Sequence, residues 1–160
     1  MKQTKLVAVL AVLAFSVQTL AASTGTLLLQ GTVAAVNDIV VTANSPNNTT
    51  LNIVAGESGK NVASVAETSN NLNGYKIFIS SPTGGFLVNT SDSAAKTGYK
   101  IAYDGAAAVT PTVAPLQVKN VTALTGLTTD TSAVAADVTA FATAPAGLYE
   151  DTLTISIVAN

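Results

Sequence analysis

Residues 149–158 read YEDTLTISIV, and no other stretch of the chain alternates so strongly. Leu153, Ile155 and Ile157 fall on one side, while Thr152, Thr154 and Ser156 fall on the other. Successive side chains of an extended chain point to opposite faces, so this period of two predicts a half-buried strand. The same spacing governs Tyr75–Ser80 (YKIFIS), where Tyr75, Ile77 and Ile79 oppose Lys76, Phe78 and Ser80. Asn73-Gly74 opens that run and Pro82 closes it. Residues 99–103 (YKIAY) repeat the pattern and end at Asp104-Gly105, a dipeptide suited to a tight hairpin turn.

Outward from these three runs, further strands are predicted at residues 27–36 (LLLQGTVAAV), 39–42 (IVVT), 50–54 (TLNIV), 62–65, 86–88 and 116–121. Turn clusters separate them, among them residues 44–48 (NSPNN), residues 56–59 (GESG) and Gly84-Gly85. Pro111 and Pro115 bracket a loop or an edge segment, since proline has no N–H for a central ladder. Residues 133–141 read both ways: alanine favours a helix, but Val134, Val138 and Thr139 tolerate a strand. Many short strands at this spacing, with no convincing amphipathic helix, predict an all-β fold, an antiparallel β-sandwich. No repeat of solenoid or propeller length is present.

The chain has 160 residues, which is room for one domain. It contains no His, no Cys and no Trp, and its seven basic residues are all Lys. Imidazole and thiolate metal sites, Cys or His nucleophiles and disulfides are thereby excluded. The net charge of −2 and the lack of Arg speak against a nucleic-acid partner, whose phosphates demand a basic face.

Residues 1–5 (MKQTK) are basic, residues 6–15 (LVAVLAVLAF) are apolar throughout, and small or polar residues follow as far as Ala21 and Ala22. This is the three-part layout of a secretory signal peptide, and the apolar core is too short for a membrane span. The expected organisation is a signal-peptide helix at residues 1–21 and a single β-sandwich domain at residues 22–160, with cleavage after Ala21 or Ala22. The protein is expected to be exported, to the cell surface, the medium or the periplasm. Without disulfides, its stability must come from packing and from ladder hydrogen bonds.

No catalytic, cofactor-binding or metal-ligating residue is predicted. Glu150 and Asp151 are adjacent on a strand, so they face opposite ways and do not form an acid/base pair. Asp38, Asp92, Asp104, Asp130 and Asp137 mostly fall in predicted turns and lack the spacing of a Ca²⁺ loop. No Ser has a His partner or sits in a G-x-S-x-G elbow. Tyr75, Tyr99 and Tyr103 suit a sugar-binding face, but their period places them in the core. Asn47, Asn48, Asn89 and Asn120 begin N-x-[ST] triplets, which arise by chance in a chain this rich in Asn and Thr.

Residues 146–160 (AGLYEDTLTISIVAN) resemble the closing strand of bacterial fimbrial and spore-coat-U-like pilin subunits. Residues 73–89 (NGYKIFISSPTGGFLVN) are similar to a central hairpin of the same secreted proteins, and residues 25–33 (GTLLLQGTV) to their opening. The resemblance implies an Ig-like sandwich exported through the periplasm, with like subunits or a periplasmic chaperone and usher as partners. Many such subunits carry a disulfide near the first strand, and this chain has no Cys. They lend an N-terminal extension to complete a neighbour's sheet, yet few residues precede Leu27 here. Residues 27–36 are therefore expected to pack as a first strand within their own domain. The expected function is that of a non-enzymatic, exported structural or adhesive surface protein of the fimbrial-subunit kind. The alternative is a self-contained binding module for a glycan or wall polymer.

Overall fold

The computed structural model describes residues 23–160, so the expected leader lies outside the described residues. Residues 23–32 carry neither strand nor helix, and Leu27, Leu28 and Leu29 are each more than 80% exposed. This overturns the expectation of a home strand at residues 27–36. Alternation provides an apolar stripe, but a strand also needs a ladder partner, and residues 27–33 have none among the described residues. Just before β1, Asn70 holds Ala34 and Val36. Its side-chain amide donates to the Ala34 carbonyl at 2.7 Å, and its side-chain oxygen accepts the Val36 N–H at 2.8 Å.

The body from Val33 to Asn160 is built of strands alone. In chain order they are β1 (Asn37–Ala43), β2 (Glu57–Ser69), β3 (Tyr75–Ser80), β4 (Phe86–Asn89), β5 (Lys96–Tyr103), β6 (Leu116–Val121), β7 (Thr128–Val138), β8 (Tyr149–Glu150) and β9 (Thr154–Ala159). Six of them form one sheet in the order β1-β2-β7-β5-β4-β8, and three form a second in the order β6-β3-β9. Every pairing is antiparallel. The all-β, sandwich-like architecture is the one the alternating runs require.

Several local expectations change. Residues 149–158, read as one alternating strand, divide into β8 of the larger sheet and β9 of the smaller, because the chain crosses between the sheets at residues 151–153. The turn expected at residues 56–59 instead enters β2 from Glu57, with an irregular register between Glu57 and Lys60. Residues 50–54 are a looped segment and not a strand: the Asn52 N–H donates to Glu57 Oε1 at 2.9 Å, which bends the chain back on itself. Leu51 and Ile53 still turn toward the core, so the side-chain pattern survives without the ladder. The ambiguous residues 133–138 are strand, as part of β7. β7 is hydrogen-bonded to β2 on one side and β5 on the other, and that double ladder overrides the helix propensity of alanine.

The core lies between the sheets. Val65 of β2, Tyr75, Ile77 and Ile79 of β3, Tyr99, Ile101 and Tyr103 of β5, and Val134 and Val138 of β7 are buried. Each such aliphatic side chain stabilises the fold by about 1.5 to 3 kcal/mol. β3 can run close against β6 because of Gly74: its φ is +80°, and a Cβ there would lie 1.8 Å from the Val121 carbonyl oxygen.

Polar groups also bridge the sheets. Glu67 of β2 is fully buried and accepts the hydroxyls of Tyr75 at 2.7 Å and Tyr103 at 2.6 Å. Lys119 of β6 lies 3.0 Å from the same carboxylate, and also 2.7 Å from Asp130 and 3.0 Å from Asp104. Burial disfavours the Lys119 ammonium, but its bonds to Asp130, Glu67 and Asp104 outweigh that and raise its pKa above the ordinary lysine value. Burial first, and then the bond to Glu67, push the hydroxyls of Tyr75 and Tyr103 well above 10.0. Burial and the bond to Asp151 do the same for Tyr99.

Replacing Glu67 by Ala leaves two buried hydroxyls without their acceptor, while Lys119 keeps Asp130 and Asp104, so Glu67→Ala is expected to lose about 2 to 4 kcal/mol of stability. Glu67→Gln, whose amide oxygen still accepts one of the two hydroxyls and whose volume fills the site, is expected to lose less. Urea titration of both variants checks the order, and equal losses would contradict it. The pH dependence has a definite sign as well. The folded state keeps the three tyrosine protons to higher pH than the unfolded chain. Stability is therefore complete below the ordinary tyrosine value of 10.0 and falls as pH rises through it. Three protons correspond to a slope of about 4 kcal/mol per pH unit at most. Denaturant midpoints at pH 8, 9.5 and 11 measure it, and a flat profile would refute the buried-hydroxyl account.

Candidate functional site

The two sheets are unequal, and the shortfall leaves a groove. β9 ends the smaller sheet and is paired to β3 on one side only. The Asn160 N–H donates to the Gly74 carbonyl at 3.1 Å, and the register opposes Val158 to Lys76 and Ser156 to Phe78. Antiparallel ladders alternate, so the amides of Ser156 and Val158 face β3 while those of Ile155 and Ile157 face the open edge. At the start of β9 opens an apolar groove of about 680 Å³, lined by Ile155 of β9 and by residues 147–153 before it.

Five strands of the larger sheet supply its floor: Val41 and Ala43 from β1, Ala63 from β2, Val134 and Ala136 from β7, Tyr99 and Ile101 from β5, and Leu87 from β4. Leu153 and Ile155 form one wall, Leu51 and Ile53 another. Val41 is opposite Val65 in the ladder and shares its inward face, yet it is 49% exposed. An inward-pointing valine that remains half in water marks a core left uncovered at that place.

One end of the groove is polar. Asp151 accepts the Tyr99 hydroxyl at 2.5 Å and the Ser81 hydroxyl at 2.6 Å. Sequence reading treated Asp151 as a solvated strand start, whereas it is a partly buried acceptor joining β5, the β3–β4 turn and the approach to β9. The groove itself was not legible in the sequence, because the small floor residues Ala43, Ala63 and Ala136 carry no pattern that distinguishes them from core alanines.

The other singled-out residues scatter. Asp104 and Asp130 pair with Lys119, Asp137 accepts the Gly59 N–H at 2.6 Å, and Asp92 accepts the Ala94 N–H within its own turn at 3.0 Å. Lys119, through its bond, holds Asp130 below the usual carboxylate value of 3.8. Asp38 lies on β1, and Glu150 on β8 at the groove. Among the described residues no cluster of acids is arranged to hold a metal ion. Tyr75, Tyr99 and Tyr103 are buried as core, and Asn89 is buried with its amide on the Ala146 carbonyl at 3.3 Å.

An apolar trough near an unpaired strand edge is the arrangement that strand addition uses, in which an extended chain adds backbone hydrogen bonds to the edge. In the isolated monomer, the amides of Ile155 and Ile157 are expected to exchange with solvent far faster than those of Ser156 and Val158. Hydrogen exchange read by NMR checks this, and equal protection along β9 would mean that its edge is covered. No family model matches the chain, and no curated protein matches it either.

Proposed function

We propose that the protein is an exported, non-enzymatic structural subunit of a surface assembly, of the fimbrial-subunit kind, whose Ig-like sandwich is completed by a strand supplied from another chain. The observation that carries this reading is the open β9 edge with an apolar groove beside it. Soluble domains seldom leave an apolar edge unprotected, because such an edge invites pairing with other chains. Like subunits are the partners in the finished assembly, and a periplasmic chaperone and usher would hold the edge covered before that. The exposed Leu27, Leu28, Leu29 and Val33 add support, since an exported chain gains nothing from a free apolar stripe unless a partner buries it.

A second reading rests on the polar end of the groove, where Tyr149 and Glu150 offer a ring and a carboxylate to a glycan or wall polymer. The two readings separate on a gel. Surface extract in cold SDS is expected to show a ladder of multiples of the subunit that collapses to monomer on boiling. Monomer alone, together with saturable binding of a cell-wall polysaccharide, would favour the binding module.

A further inference from the structure

The charge around the groove has one sign. Its charged lining residues are Glu150 and Asp151, and no lysine lines it. Among the described residues every ion pair is made by Lys60 or Lys119, and neither acid of the groove takes part. Glu150 is exposed, on the two-residue β8 at the edge of the larger sheet. Asp151 is fixed by three neutral donors, the hydroxyls of Tyr99 and Ser81 and the Thr152 N–H at 2.8 Å. These bonds orient the carboxylate and leave its charge without a counter-ion.

The walls are apolar. Leu51, Ile53, Leu87, Ile101, Leu153 and Ile155 line one hollow of about 680 Å³. Small-molecule sites are clefts of roughly 300–1,000 Å³ with apolar walls and a few polar groups that fix orientation. Low-dielectric walls beside charges of one sign focus their field and gather ions of the opposite sign. Apolar walls alone accept any tail of the right size. Two unpaired carboxylates at one end reject an anionic head and favour a cationic one. A bare metal ion would gain nothing from the walls, and no acids among the described residues are grouped to hold one.

We infer that the groove binds an amphipathic organic cation of the alkylammonium class, with its tail against the apolar walls and its head at Glu150 and Asp151. This goes beyond the strand-completed subunit and does not rest on it. The tail covers the same floor that a completing strand would use, so ligand and strand exclude each other. Each methylene of the tail buried in the groove tightens binding about fourfold. The head adds about fivefold through a carboxylate that stays in contact with water.

Octylammonium, octanoate and octanol share a tail and differ in the charge of the head. Each is titrated into the purified protein at low salt, and NMR of the side-chain methyl groups locates it. Octylammonium is expected to shift the methyls of Leu51, Leu153 and Ile155 and to bind on the order of tenfold more tightly than octanoate. Hexylammonium, two methylenes shorter, is expected to bind about fifteenfold more weakly than octylammonium. Glu150→Gln changes an exposed side chain and leaves the fold alone, and it is expected to weaken octylammonium about fivefold. Adding Asp151→Asn is expected to weaken it further. Equal affinity for the three heads would overturn selection by charge. Undiminished binding to Glu150→Gln and to the double variant would overturn the placement of the head. Shifts confined to Val109 and Val118, which line a smaller hollow beside β6, or no saturable shift at all, would overturn the groove as the site. The cold-SDS ladder reads the other proposal separately. A ladder without octylammonium binding sinks this inference and leaves the strand-completed subunit standing, whereas binding without a ladder does the reverse.

Discussion

Six strands face three, and the rest of the structure answers to that inequality. A sheet with one apolar face is stable only when that face is covered, and the smaller sheet covers part of the larger one. Under the cover, β3 contributes Tyr75, Ile77 and Ile79 and the core is closed. Beyond β9, the inner faces of β1, β2, β7, β5 and β4 continue into an open trough. The inward residues of β9 itself, Ile155 and Ile157, are only partly buried for the same reason.

A fold with an unfinished core and no disulfide needs some other means of holding its sheets in register. The cluster at Glu67 does this. One carboxylate from β2 gathers hydroxyls from β3 and β5 and an ammonium from β6, so both sheets meet at a single buried point. A buried ion pair is weak evidence of net stability, because desolvation offsets much of the attraction. Its directional bonds do fix which residues stand opposite each other, which apolar contacts alone leave looser. The cluster also sits away from the groove, so the open side is free to change partners without disturbing it.

The exposed Leu27, Leu28 and Leu29 and the open groove each leave apolar surface in water. A strand added to β9 would satisfy the amides of Ile155 and Ile157 and bury the half-exposed Val41. A monomer carrying both features is expected to be aggregation-prone unless something shields it, which is the physical reason for a chaperone in the proposed pathway.

Dense alternation in the sequence marked strands but not where each one ends: residues 149–158 divide between β8 of the larger sheet and β9 of the smaller. Tyr75–Ser80 and Leu116–Val121 were legible to the residue, and Leu153, Ile155 and Ile157 face inward as their spacing requires. Period two is a local property, so it survives translation into structure. The sequence did not decide residues 27–36, which alternate as well as any strand yet have no partner, nor residues 50–54, whose apolar side chains turn inward from a loop. Pairing is a non-local property, set by which edges the topology leaves free. The groove belongs to the same class: Ala43, Ala63 and Ala136 became its floor because three strands face six, and no residue in their own segments records how many strands lie across from them.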